Sequence, residues 1–448
     1  MKKADLSYLY VILLHFFIGF FVYLFPITSK IYGFLTFFIG VYYVVKKQNA
    51  NHEVLLAAAY ITGSEVFLRM TGGNISYEFS KYGVMIFMLM GMYYKGFSRG
   101  ATPYWIYLIL LVPSVVIATF VLDFDTNIRT TIAFNISGPV CLGLASLYTF
   151  RRKITLEQTN SILLALGLPI VTCMSYLTFY TPNLRDVVTS TQSNFATSGG
   201  FGPNQVATFL GLGMFIFFSR IILVSKNKFL LIINLIVALN ITYRGIVTFS
   251  RGGMLTGLLM IVFLLLFLYI KTNYKGKVKL NYILGLMAMA LMVTWGYSSI
   301  QTGGLINKRY ANKDSKGRTK ESKFTGRSDI AETEINMFLN NPVFGVGVAK
   351  GVEIREVETG IFVVSHDEIT RMLAEHGSLG VIALLILIFT PLVLYLENSF
   401  NMFMICFVLF WFLTINHAAM RTAVPAFVYS LSLLNIQLIP PSQKRDDS

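Results

Sequence analysis

Apolar runs of about 17 to 25 residues recur along nearly the whole chain, with short polar connections between them. As a helix rising ~1.5 Å per residue, each run is long enough to cross a ~30 Å hydrocarbon layer. Helices are the form to expect, because an open strand would leave backbone groups unpaired in lipid. The runs fall near residues 8–25, 31–45, 53–68, 82–94, 104–122, 132–150, 160–180, 204–224, 229–249, 253–270, 281–299, 378–396, 400–416 and 424–438. Several are short or polar, so the pattern predicts an all-α polytopic membrane protein with about 12 to 14 transmembrane helices. It divides the chain into transmembrane helices with short loops over 1–299, one large loop with helical segments over 300–366, C-terminal transmembrane helices over 367–440, and a tail over 441–448.

Composition agrees with this pattern. The 448 residues are 55% hydrophobic and 13% charged and include 38 Phe and 24 Tyr, more apolar surface than one water-soluble core could hide. The net charge of +15 is topological and does not point to nucleic acid. With Lys2 and Lys3 in the cytoplasm, alternate connections carry Lys46 and Lys47, Lys95 and Arg99, Arg151 to Lys153, Lys226 and Lys228, Lys271 to Lys279, and finally Lys444 and Arg445. That is the positive-inside pattern in one phase, with both termini cytoplasmic and the loop 300–366 on the other side. A loop of that length can be translocated despite its own charge. The first apolar segment lacks a small-residue cleavage site and reads as an anchor. Cys141, Cys173 and Cys406 fall inside spans without disulfide or metal-ligand spacing and read as small core residues.

Two connections on the non-cytoplasmic side stand out. Residues 181–203 are rich in Ser, Thr, Asn and Gly, which suits either an ordered rim of a cavity or a flexible connector. In the large loop, residues 307–327 are strongly basic and poor in apolar side chains, the composition of a mobile segment. From Ser328 the pattern turns helical: Ile330, Met337 and Phe338 share a face, and Asp329 with Glu332 has capping-box spacing. Asn340, Asn341 and Pro342 should stop that helix, with the Gly345-Val346-Gly347 turn after it. Such a helix would cover the membrane domain.

The informative charges are those a bilayer should not tolerate. From Lys228, Arg244 lies ~24 Å and Arg251 ~35 Å along a continuous helix, which places them nearly on one face. An intramembrane arginine marks a functional site by default, although Arg244 could also snorkel to water or pair with a buried acid. Gly252 and Gly253 beside Arg251 would let backbone amides or a ligand approach closely. Two arginines near a membrane surface suit a lipid-linked diphosphate, because guanidinium forks bind phosphate bidentately.

His366 sits at the water boundary of another span, where an imidazole can take a proton from a hydroxyl. On an unbroken helix, Gly377 would lie below His366 on the same face with Gly380 close by, leaving a narrow groove. Glu375 would fall on the opposite face and His376 well away from it. His417 and Arg421, four residues apart at a span end, either extend the site or anchor the helix end. His15, alone on an aromatic-rich helix, reads as structural.

At these residues the sequence resembles the O-antigen ligase and O-antigen polymerase superfamily of bacterial envelope enzymes. Ser250-Arg251-Gly252-Gly253 is similar to the family's Ser-Arg-Gly element. Gly326-Arg327, a helix, and Asn341-Pro342-Val343-Phe344-Gly345-Val346-Gly347 resemble its Gly-Arg, helix, Asn-Pro-x-x-Gly-x-Gly pattern. His366 with Gly377 and Gly380 fits the ligase-type spacing, except that Asp367 stands where the family usually has Asn, Ser or Gln. The motifs cover about the last 200 residues.

The resemblance implies a metal-independent glycosyltransferase of the bacterial inner membrane, without a cofactor and with its site on the periplasmic face. It would move a glycan from undecaprenyl diphosphate to a glycolipid or glycan hydroxyl. Arg251 and Arg327, with Arg244, would hold the diphosphate, and His366 would activate or orient the acceptor. Ligation to a lipid A core and extension of the lipid-linked chain both fit, and the histidine spacing leans to ligation. A transporter binding the same lipid would call for inverted repeats or paired broken helices, and no repeat is visible in the sequence.

Overall fold

The computed structural model describes residues 3–123, 125–319, 327–360, 362–398 and 401–437. Among them, the helices are α1 (Lys3–Leu24), α2 (Thr28–Lys47), α3 (Glu53–Met70), α4 (Phe79–Lys95), α5 (Thr102–Val121), α6 (Ile128–Thr149), α7 (Leu156–Tyr180), α8 (Pro203–Leu223), α9 (Lys228–Ile246), α10 (Arg251–Lys271) and α11 (Tyr274–Gln301). Then follow α12 (Leu305–Tyr310), α13 (Arg327–Asn340), α14 (Lys350–Thr359), α15 (Glu368–Glu397), α16 (Met404–Ile415) and α17 (Ala423–Leu431). The regular strands are β1 (Lys153–Thr155) and β2 (Asn435–Gln437), a parallel pair in register Ile154 to Ile436. Ten helices, namely α1, α2, α5 to α11 and α15, are long and apolar enough to cross a membrane. The protein is an all-α polytopic membrane protein, and each apolar run of the sequence overlaps a helix, the last passing from α17 into β2.

The chain forms two compact units, Met1–Phe79 with Asn160–Lys323, and Ser80–Thr159 with Phe324–Ser448. In the first, α8 is the most buried span, 89% of its apolar window being inside. It packs against α10 along a glycine seam. A Cβ on Gly253 would come 2.2 Å from the Thr208 amide nitrogen, and one on Gly257 would come 2.3 Å from the Gly211 carbonyl oxygen. The two contacts advance together along both helices, so α8 and α10 run parallel. Such seams replace the hydrophobic effect inside a bilayer, where close backbone packing is a main source of attraction. His15 bonds Tyr60 at 2.9 Å and the Val11 carbonyl at 2.8 Å, which suits its structural reading.

In the second unit α5 and α13 pack on α15, and α6 and α16 on α17. Tyr429 links the layers: its hydroxyl donates to the Leu387 carbonyl at 2.8 Å and lies 2.8 Å from that of Tyr104. The long helix α15 is broken at Gly377, whose φ of 62° and ψ of −142° are non-helical.

The described first part of the basic stretch of the large loop, up to residue 319, is more ordered than its composition suggests. Residues 305–310 form α12, and a tight turn closes on an Asp314–Arg318 ion pair of 2.8 Å and a bridge between Lys313 and Thr319. The Asp314 carboxylate also accepts the Arg318 amide, so local hydrogen bonds supply the order that apolar burial does not. Residues 320–326, including Gly326 of the Gly-Arg motif, lie outside the described residues. The next helix starts at Arg327, which puts Asp329 inside its first turn and not at its cap.

Candidate functional site

The first unit gathers its candidate arginines around the corner between α9 and α10. That corner is a break: Val247 to Ser250 leave the helix, and Phe249 takes a positive φ of 60°. Arg244 and Arg251 therefore do not share the face of one helix. Arg251 begins α10, where unpaired amides and the helix dipole favour an anion.

Next to it, Ser250 donates to the Asn204 side chain at 2.7 Å, tying the start of α10 to the first turn of α8. The Arg251 guanidinium donates to the Arg309 carbonyl at 3.4 Å, and Arg309 in turn donates to the Phe249 carbonyl at 2.8 Å. Arg309 is a cation the sequence reading overlooked, sitting in a stretch that looked merely basic. Residues 181–203 are tied to the same corner by Asn194, whose amide donates to the Thr248 carbonyl at 3.0 Å.

Arg244 is buried and turned to protein. Its two terminal nitrogens donate to the carbonyls of Thr181 at 3.1 Å and Thr178 at 3.3 Å, so it caps the C-terminal end of α7. A guanidinium there pairs with the negative end of the helix dipole and needs no acid. Gly253 spends its missing side chain on the seam with α8, against Thr208 and Ala207, and not on a ligand. Gly252, half-buried, passes its carbonyl to Thr256 at 2.9 Å.

The second unit builds a site around His366. The residue lies just before α15 and lines an open cavity of about 280 Å³, with Ser328, Ile330 and Ala331 of α13, Ser365, Asp367, Thr370 and Asn416. That is near the lower end of the size range of small-molecule sites, and its lining sets a few hydroxyl, amide and carboxyl groups among apolar surface from Ile330 and Ala331. Asp367 caps α15 by accepting the Ile369 amide at 2.8 Å. Arg327 is the first described residue of α13, two turns before Glu334, and its side chain lies outside what the structure describes.

Gly377 does not leave a groove beneath the imidazole, contrary to the unbroken-helix expectation. A Cβ there would come 2.6 Å from the Val343 carbonyl and 2.7 Å from the Gly345 amide nitrogen, so the space is filled by the Asn341–Gly347 turn. In a straight helix the Ser378 amide would bond the Ala374 carbonyl. Here the Ser378 amide donates to Pro342 O at 2.8 Å, while Ala374 O and Glu375 O accept from Val346 at 2.9 Å and Gly347 at 3.2 Å. The two glycine motifs are thus one splice, in which the turn makes the bonds that the broken helix gives up. Gly380 is closed off in the same way by the Met372 carbonyl.

Glu375 and His376 precede the break, and neither lines the cavity at His366. Both are buried. Glu375 accepts the Ala349 amide at 3.0 Å, and His376 Nδ1 lies 2.5 Å from the Ser114 hydroxyl. A layer of buried charge lies within the first two turns of α15. Arg371 bonds Glu368, donates to the Asn135 side chain at 2.9 Å, and lies 3.9 Å from Glu375, while Glu368 accepts the Met420 amide at 3.2 Å.

His417 and Arg421 separate in role. His417 Nδ1 bonds the Leu413 carbonyl of its own helix at 2.7 Å. Arg421 reaches the segment before His366, donating to the carbonyls of Val364 at 3.2 Å and Ser365 at 2.7 Å. The residues that sequence reasoning missed are Glu334 and Arg355, a buried ion pair of 2.9 Å beside the cavity. One signal was legible: Glu334 falls in the apolar stripe of Ile330, Met337 and Phe338. Among the described residues, no three His, Cys, Asp or Glu side chains group as metal ligands.

Residues 235–385 match the family model described as O-Antigen ligase, a segment that runs from α9 past the break in α15 and contains Arg244, Arg251, Arg327 and His366. No curated protein and no solved structure gives a match to the chain. Over that segment, about a third of the chain, the protein is similar to the O-antigen ligase family, in line with the resemblance carried by its motifs.

Proposed function

We propose that this protein transfers a glycan from an undecaprenyl diphosphate carrier to an acceptor hydroxyl, with a lipid A core as the acceptor, on the periplasmic face of the bacterial inner membrane. The observation that carries this reading is His366 lining an open cavity, with Ser328, Ser365, Asp367, Thr370 and Asn416 as its polar groups. The acceptor oxygen attacks the anomeric carbon, its proton passes to the His366 imidazole, and the bond from that carbon to the diphosphate oxygen breaks with the electron pair leaving on phosphate. Arg251 at the head of α10, with Arg327, would hold the leaving diphosphate, where bidentate guanidinium contacts are strongest. Arg309 joins that clamp by its contact with Arg251, and Arg244 supports it by fixing the end of α7. The sidedness rests on the alternation of Lys and Arg along the connections, which keeps both termini cytoplasmic.

The test uses purified protein with a lipid-linked glycan donor. His366→Ala should abolish transfer while donor binding survives, and retained turnover would remove the histidine from the mechanism. Arg251→Ala should weaken donor binding, and unchanged binding would count against the clamp. The histidine spacing favours ligation over polymerisation, so label should move to added core-lipid A. Growth of the undecaprenyl-linked chain without that acceptor would establish the polymerase instead. Guanidinium groups carry the positive charge in this reading, so transfer should continue in excess EDTA, and a loss restored by a divalent cation would overturn that part.

A further inference from the structure

Every backbone carbonyl from Val363 to His366 has a protein partner. Arg355 donates to Val363 O at 3.1 Å, Arg421 to Val364 O at 3.2 Å and Ser365 O at 2.7 Å, and the Ala419 amide to His366 O at 3.1 Å. A connecting segment ordinarily gives such groups to water. Here two guanidinium groups and an amide fix it from both sides.

One of those guanidinium groups is itself set by Glu334. Its Oε1 accepts from Arg355 at 2.9 Å, and its Oε2 accepts from the hydroxyls of Thr370 at 2.6 Å and Ser365 at 3.2 Å. Ser365 precedes His366 and Thr370 follows it by four residues, so the carboxylate straddles the histidine. Glu334 and Arg355 are 2% and 3% exposed. A buried ion pair is weak support for stability by itself, since apolar residues often do as well. What distinguishes this one is where its other bonds go: to the chain on either side of the candidate base.

We infer that Glu334 is a positioning residue for His366. This rests on the proposed function above and adds to it the group that places the base.

The experiment uses full-length protein in lipid nanodiscs. Glu334→Gln and Thr370→Val should each lower kcat about 10- to 100-fold, the scale of a small misplacement of a reacting group, with donor KM changed by less than about 3-fold. Thr370→Ser, which keeps the hydroxyl, should restore kcat to within about 3-fold of wild type. Unchanged kcat in both variants, with His366→Ala inactive, would overturn the inference and leave the functional reading intact. So would losses that only track folded yield and are no better in Thr370→Ser. An active His366→Ala would overturn the functional reading first and this inference with it.

Discussion

Arg421 donates one nitrogen to two successive carbonyls, Val364 and Ser365, and so fixes the backbone immediately before His366. A lysine at this position would keep the charge but not the planar fork. Arg421→Lys and Arg421→Ala should therefore both lower transfer, the alanine by about 10-fold or more, without loss of folded protein. Steady-state kinetics with size-exclusion profiles would check this, and full activity in Arg421→Ala would show that Ala419 and Arg355 suffice.

Gly345 and Gly377 each take a positive φ, with Gly345 against the backbone of Ala374 and Glu375 and Gly377 against that of Val343 and Gly345. Alanine at either position meets strain and collision together, with a loss of more than about 2 kcal/mol expected. Thermal unfolding in detergent should show it, and Gly285→Ala, where nothing lies within 4 Å of the added methyl, is the matched control. Equal melting temperatures for Gly377→Ala and Gly285→Ala would contradict the splice.

Arg244 carries a different expectation from Arg251. Arg244→Met strands the carbonyls of Thr178 and Thr181 away from water and should cost about 1 to 3 kcal/mol of stability. Arg251→Met should leave the melting temperature nearly unchanged and affect donor affinity. The reverse pattern, with Arg244→Met melting normally and losing donor, would make Arg244 a ligand residue and not a helix cap.

Burial lifts the Glu334 carboxyl above its ordinary value, opposed by the hydrogen bonds from Thr370 and Ser365 and by the charge of Arg355. A raised acid binds protons more tightly when folded than when unfolded. Its stabilising contribution is then complete below the ordinary carboxyl range and is lost as pH rises through the folded value. The melting temperature of wild type relative to Glu334→Gln should accordingly be highest in acid and fall as pH rises. A difference that grows with pH would mean that Arg355 dominates and holds the carboxyl down.

The spans were legible because lipid demands long apolar helices, and each run overlaps one. The Gly-rich motifs were legible as turns, but their partner was not. Nothing local announces that the turn at Gly345 meets the break at Gly377, and a constant angular step through Gly377 misplaces Gly380 and the residues after it. The four residues from Val247 to Ser250 defeat the one-face reading of Arg244 and Arg251 for the same reason: a break resets the helical phase. Glu334 and Arg355 were hidden because a charged residue in a hydrophilic loop looks solvated. Their burial depends on contacts with Thr370 and Val363, which spacing cannot forecast.

The splice at Gly377 bears on how the chain is made. The turn that completes the hydrogen bonds of α15 precedes that helix in the chain, so its amides already exist when the break emerges from the ribosome. Inserted alone, a helix interrupted there would bring carbonyls and an amide toward lipid without partners. Biogenesis of the last spans is thus tied to arrival of the loop turn on the same side of the bilayer. A lesion in Asn341–Gly347 would then be felt first as a failure to complete insertion, before any substrate is met.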